Sequence, residues 1–408
     1  MSSKIKSEHL LLCFFPLFTF YFPTVRLGSV PIRFEDIICI VLMFLVILNS
    51  KSTNNKVNIG IVFSFLIMLI TLFFSTNYYN LIGLTINFKT LIVGLSYVKY
   101  VLFFFVVKHF FLIFENLQLK SIFIKTLQIV FLTQILILIL QKFDIADFAS
   151  GAPFYFVVKF YSIPNIYATS TDLDTLISTH LNFKFRPAGT FGSSTITGVS
   201  MFVVGHILYL HTKNMLWKIL SYFAIVICFA KIAIVLALFI DFILPAFSGR
   251  KNAIRNILFL SPPLLVVGYF IIEMFGVMHN LIGALNGTDR GVTHRLDVVL
   301  YMLNMSGFEF FLGNMGDLPF DFFDSGVLLS IFRYGIVFFI LEYFVLYKIF
   351  NSCLKNSKIS QAFCFCILFA DLTFGSILNP VFSSLIFLML ISTVILKEDC
   401  KRQVPSFI

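Results

Sequence analysis

Long apolar runs separated by short polar gaps fill this chain. They extend from Leu10 to Phe22, Phe34 to Leu48, Val57 to Phe74, Leu91 to Phe114, Ile122 to Leu140, Ile196 to Leu210, Leu216 to Phe229, Ile232 to Phe247, Ile257 to Phe275, Ser325 to Phe350, Ile359 to Ile377 and Val381 to Leu396. A helix needs roughly 20 apolar residues to cross a bilayer, fewer where flanking side chains reach back to the surface. The pattern predicts an all-α, polytopic integral membrane protein of about 12 transmembrane helices, with residues 1–408 forming a single transmembrane domain. Leu216 to Phe247 admits two readings, one broken helix or two short ones around Lys231.

The polar gaps set the orientation. With Lys4 and Lys6 in the cytoplasm, alternation also puts Lys51, Lys56, Lys120, Lys213, Lys218, Arg250, Lys251, Arg255, Lys355, Lys358, Lys397, Lys401 and Arg402 there, in keeping with the positive-inside rule. Two long polar segments then fall on the outer, periplasmic side, 141–195 and 276–324. Loops longer than about 15 residues are uncommon unless they carry function. The first contains an apolar patch, Phe154 to Tyr161, suited to lying along a membrane surface, and then the polar run Thr169 to His180.

Composition agrees. Hydrophobic residues make up 59% of the chain and charged ones 12%, which leaves too little polar surface for a water-soluble globule. The net charge of +10 resides mainly in the gaps between apolar runs, so it reads as a topology signal and no nucleic acid partner is expected. The seven cysteines lie in or beside apolar runs or near the C-terminus, giving no disulfide framework and no metal site. No small-residue cleavage site follows Leu10 to Phe22, so that run is expected to stay as a helix.

Arg186-Pro-Ala-Gly-Thr-Phe-Gly-Ser-Ser-Thr-Ile-Thr-Gly198 closes the first long loop and leads into a predicted helix. An arginine beside a glycine-rich turn at a helix mouth can hold an anion, and the hydroxyls of Ser193 to Thr195 can cap the helix. The competing role for Arg186 is an interfacial anchor. Lys231, Arg290 and Arg295 also sit near predicted helix ends on the outer side; their plainer roles are a snorkelling lysine and solvated loop charges. Candidate acids and bases on that side are Glu273, His294, Asp297, Asp324 and Asp371. Asp324 is equally suited to capping the helix it opens, and Asp371 to a structural pairing with Lys231. Lys99, Asp241, Arg333 and Glu342 read as interhelical pairs. No Rossmann or Walker spacing, HExxH, GxSxG or CxxC occurs, so no cofactor or metal is expected.

Three stretches resemble the O-antigen polymerases (Wzy type) and the related O-antigen ligases. Arg186-Pro-Ala-Gly-Thr-Phe-Gly-Ser-Ser is similar to the family's Arg-x-x-Gly-x-Phe motif before a helix. Phe229-Ala-Lys-Ile-Ala is similar to its Ser-Arg element, with Lys231 in place of the arginine. Arg295-Leu-Asp, Phe311-Leu-Gly-Asn-Met-Gly316, Asp324-Ser-Gly and Tyr334-Gly-Ile336 resemble the segment running through the second outer loop into the next helix. The likeness covers about Arg186 to Phe350. Lys231 keeps the cation but loses the two-pronged fork, and Asp324 stands near where the ligases carry a histidine, which favours the polymerase.

This resemblance implies metal-independent glycosyl transfer at the periplasmic face of a bacterial inner membrane. An undecaprenyl-diphosphate-linked glycan would be both donor and acceptor, with the bilayer, a chain-length regulator and a flippase as partners. Such a site needs cations for the departing diphosphate and a base for the acceptor hydroxyl. Arg186, Arg290, Arg295 and Lys231 are assigned to the diphosphate, and Asp324, with His294 second, to the hydroxyl. The alternatives are an O-antigen ligase and a lipid-linked oligosaccharide flippase or other transporter.

Overall fold

The computed structural model describes residues 13–27, 30–49, 117–162, 183–243, 290–314, 325–354, 357–372 and 385–392, together with 66 and 69. The expected runs Leu91 to Phe114 and Ile257 to Phe275, nearly all of Val57 to Phe74, and the residues Glu273 and Asp324 lie outside the described residues. What is described is mostly helical. The helices are α1 (Phe15–Tyr21), α2 (Phe34–Asn49), α3 (Leu117–Phe143), α4 (Ala152–Val157), α5 (Ser194–Thr212), α6 (Leu216–Cys228), α7 (Lys231–Leu238), α8 (Arg290–Leu303), α9 (Gly307–Leu312), α10 (Gly326–Leu354), α11 (Ser357–Asp371) and α12 (385–392). A two-stranded antiparallel hairpin, β1 (Val25–Leu27) and β2 (Val30–Ile32), joins α1 to α2.

By length and composition three helical stretches could cross a membrane: Gln118–Phe143, Ser194–Thr212 and Gly326–Asn351, the last of them interrupted at Gly335. α3 shows the inverted distribution that a lipid solvent produces. Gln134 and Gln141 are fully buried, whereas Ile129 is 60% and Leu136 54% exposed. In water this arrangement would leave apolar surface exposed while burying amides; in a bilayer the apolar side chains face acyl chains and the amides find partners inside.

Every described residue of α12 is buried, with Phe387 edge-on to Phe15 of α1 at 4.6 Å. A helix apolar on every face belongs at a core, and α12 shares one apolar cluster with α1, α2, α3, α5, α6, α7, α10 and α11.

The question over Leu216 to Phe247 has a geometric answer. Asp241, in the wide turn that continues α7 (Phe239–Ile243), contacts Lys218 and Tyr222 of α6. On one straight helix Lys218 and Asp241 would stand about 35 Å apart. The chain therefore reverses at Phe229 (φ 52°) and Ala230, giving two short helices.

α10 differs from the uninterrupted helix expected over Ser325 to Phe350. Gly335 has φ 83° and ψ 163°, outside helical space, and the Ser330 hydroxyl donates to Glu342 Oε2 at 3.4 Å, where a straight helix would hold them about 18 Å apart. The chain folds back at this glycine. A Cβ there would run into the carbonyl of Phe311, and the Asn314 amide bonds the Phe332 carbonyl. The Phe311–Asn314 and Tyr334–Ile336 stretches, singled out separately in the sequence, are thus packed together.

Candidate functional site

The Arg186 loop is held by two glutamines of α3. Gln141 Oε1 accepts from the amides of Ala188 (3.0 Å) and Gly189 (2.9 Å), and its Nε2 donates to the Gly189 carbonyl at 3.3 Å. Seven residues earlier, and so on the same face two turns away, Gln134 accepts from the Thr190 amide at 3.3 Å and donates to the Thr190 hydroxyl. That hydroxyl donates in turn to the Phe20 carbonyl at 2.6 Å, and Thr197 of α5 donates to the Ala188 carbonyl. Gly189 has φ 56°, and a Cβ on it would lie 2.7 Å from Gln134 Oε1. A side chain at this position would therefore be both strained and in collision.

The same loop abuts the reversal between α6 and α7. Ser193 caps α5, accepting from the Ile196 amide at 3.5 Å. One turn on, a Cβ at Gly198 would overlap that of Ala230. Phe185 stacks on Phe229 with centroids 5.3 Å apart. Lys142, in the last turn of α3, donates to the Phe185 carbonyl at 3.2 Å and stands 4.4 Å over the Phe229 ring. Arg186, exposed at the edge of the loop, has its pKa lowered by desolvation from surrounding atoms, opposed by the electrostatic influence of Cys228. The guanidinium stays charged throughout. Lys231, exposed, opens α7 three residues after Cys228.

The structure sets the Arg186 loop against the reversal that Lys231 follows, with Lys142 over the Phe229 ring of that reversal. The apolar run that predicts α3 ends at Leu140, short of Gln141 and Lys142, and gives Gln134 no role. The one available signal was three polar residues, Gln134, Gln141 and Lys142, at the end of a long apolar run.

The second group of predicted residues occupies another region. α8 spans Arg290 and Arg295, with His294 half-buried and Asp297 exposed; the side chains of Arg290 and Arg295 lie outside the described residues. α8 packs through Val298 and Met302 on Ile331 and Phe332, in an apolar cluster separate from the main core. The described contacts do not join it to the Arg186 loop. Asp371 is buried, and the Tyr343 hydroxyl donates to it at 2.9 Å; the structural role expected of it is met on α10 rather than by Lys231, which is exposed.

Two further ionic groups are internal. Arg33 is buried and bonds Glu35 (2.9 Å), the Thr24 hydroxyl (3.2 Å) and the Thr19 carbonyl (2.8 Å). Asp241 receives Lys218, Tyr222 and, at 3.0 Å, His206, an interhelical pairing of the kind expected for it. No group of three or more His, Cys, Asp or Glu residues able to hold a metal occurs among the described residues.

No protein-family model, curated protein or solved structure matches the chain.

Proposed function

We propose that this protein is a membrane glycosyltransferase of the O-antigen polymerase type, acting on undecaprenyl-diphosphate-linked glycan at the periplasmic face of the inner membrane. The observation that carries the reading is the packing of the Arg186 loop on the α6–α7 reversal, next to Lys231 and Lys142. Lys142 stands over the Phe229 ring of that reversal, Lys231 follows Phe229 by two residues, and the loop that carries Arg186 is fixed by buried glutamines. Preorganised cations are what a departing diphosphate requires, because they need no rearrangement as negative charge develops.

In the proposed reaction an acceptor sugar hydroxyl attacks the anomeric carbon of the donor chain. The bond from that carbon to the diphosphate oxygen breaks, the lipid diphosphate leaves toward Arg186 and Lys231, and the hydroxyl proton passes to Asp324 or His294. Arg290 and Arg295 belong to the same diphosphate assignment. The multi-pass arrangement of about 12 crossings, with periplasmic loops at 141–195 and 276–324, belongs to this reading too.

Deleting the gene and resolving the lipopolysaccharide by gel tests the reaction. A single added repeat unit supports polymerisation; a bare core points to a ligase, flippase or other transport role. In the complemented strain, loss of a charge-assisted hydrogen bond worth roughly 1.5–3 kcal/mol should slow transfer about ten- to a hundred-fold in Arg186→Ala. Arg186→Lys should fall between, since it keeps charge without the fork. Full-length polymer from both variants, at matched membrane abundance and with Lys184→Ala as control, would remove Arg186 from the site.

A further inference from the structure

Between the end of α3 and the Arg186 loop, α4 and the wide turn that prolongs it (Val158–Ser162) form eleven consecutive residues with a clear two-faced pattern. Phe154, Val157, Val158 and Tyr161 are buried, at the i, i+3, i+4, i+7 spacing of one helical face. They pack on Phe183 and Ala188, the latter one of the residues that Gln141 holds. The opposite face presents Tyr155 (47% exposed), Phe156 (54%) and Phe160 (42%), together with exposed Lys159.

A surface helix in water turns polar residues outward, and one apolar on both faces is buried on both. Here only one face is buried by protein. We infer that residues 152–162 lie in the bilayer interface, with Tyr155, Phe156 and Phe160 inserted among the headgroups and first acyl carbons and Lys159 directed to lipid phosphate. Three further observations select lipid as the occupant. The segment begins nine residues after Phe143, the end of a membrane-length helix, and the exposed apolar surface of α3 continues through Phe143 (67%) and Ile145 (49%) toward it. Its far end is fixed by Tyr161, whose hydroxyl donates to the carbonyl of Tyr21 at the end of α1. Finally, Tyr155 and Lys159 each join an apolar body to a polar tip, as interfacial side chains do, and Phe156 and Phe160 supply apolar area for insertion.

The consequence is positional. Because the buried face of this segment packs on Phe183 and Ala188, its depth in the interface sets the height of the Arg186 loop above the bilayer. The inference needs only α3 to cross the membrane and is independent of the proposed chemistry.

The test uses the full-length protein in nanodiscs of phosphatidylethanolamine and phosphatidylglycerol. With a lipid carrying a photoactivatable diazirine near the glycerol, the unaltered protein should yield adducts on Tyr155, Phe156, Lys159 or Phe160, and on Ile129, Leu132 or Leu136 of α3 as the positive control. Phe156→Trp and Phe160→Trp, read against the parent with its single Trp217, should add emission that is quenched by lipids brominated near the carbonyl end and spared by aqueous iodide. Adducts on α3 with none on 152–162 would overturn the proposal on the unmodified chain. Iodide quenching without bromolipid quenching in the variants would do the same.

Discussion

Replacing Gln141 by leucine tests whether the Arg186 loop is held from α3. The substitution is close in volume and suits an apolar helix, so α3 itself should be undisturbed. Its cost falls on the loop: the amides of Ala188 and Gly189 and the Gly189 carbonyl all lose their Gln141 partner, in a place where Ala188 is 1% exposed. A buried backbone group deprived of its bond costs about 1–3 kcal/mol. Three such groups would cost up to about 9 kcal/mol if nothing moved, but the loop can open to water, and the loss is then capped by the free energy of opening. Gln134 and Thr197 still hold Thr190 and the Ala188 carbonyl, so the expected penalty is about 3 kcal/mol, equivalent to a roughly hundred-fold larger open population.

Hydrogen exchange of the peptide spanning 187–191 reads that population directly. In Gln141→Leu its protection should fall about a hundred-fold while the α3 amides around Val130 keep theirs. Gln141→Glu retains an acceptor for both amides and should lie between parent and leucine variant. Ile129→Ala, on the exposed face of α3, should leave the loop alone. Parental protection at 187–191 in Gln141→Leu would refute the account of what fixes the loop.

Gly198→Val should destabilise the fold by about 1–3 kcal/mol, measured as a lower thermal midpoint, because the new side chain meets Ala230. Lys142→Met should free the Phe185 carbonyl and the Phe229 ring together, raising exchange at 184–187 and shortening any polymer made, whereas Lys142→Arg should preserve both. Asp241→Asn leaves Lys218 without its carboxylate and should cost about 3–5 kcal/mol, with stability recovered in part by Asp241→Asn combined with Lys218→Met. Asp144 has its pKa lowered, chiefly by the Ser150 hydroxyl and then the Ala149 amide. The turn over 144–151 is therefore fully held above the ordinary carboxylate value of 3.8 and loosens as pH falls through the lower folded value; exchange of 149–151, corrected for intrinsic rates, should rise only there.

The apolar helices were legible because a long apolar run announces itself, and α3, α5, α6 and α11 fall within a few residues of the runs that predicted them, α3 and α5 at membrane length and α6 and α11 short of it. The Arg186 loop could also be read, since glycine, serine and threonine before an apolar run specify a turn and a cap. Its fastenings could not. Gln134 and Gln141 bond backbone atoms 47–56 residues away, and a backbone partner leaves no complementary side chain for the eye to find. The reversal at Phe229 was hidden for a related reason. A phenylalanine at φ 52° carries none of the Gly or Asn signal that such a turn normally shows, and its stability comes from Phe185 stacking on it across the fold. Gly335 was visible but ambiguous, because glycine is common inside membrane helices; only the close approach of Phe311 makes it a fold-back.

The two ends of the α5–α7 group treat charge differently, and the difference bears on function. Within the group, Asp241 draws in Lys218, Tyr222 and His206, so cation and carboxylate neutralise one another inside the protein. Near the Arg186 loop two described carboxylates are already committed: Glu35 to Arg33, and Asp144 to its own turn with Lys184 acting on it. Among the described residues none pairs with Lys142, Arg186 or Lys231. A cation that merely anchors a helix needs a flexible stem and a view of the headgroups. Lys142 instead bonds the Phe185 carbonyl and stands over the Phe229 ring, which clamps the loop onto the reversal. Clamping a loop beside two exposed cations makes physical sense where an anion must be met in a set geometry, since preorganisation spares the ordering cost when that anion arrives.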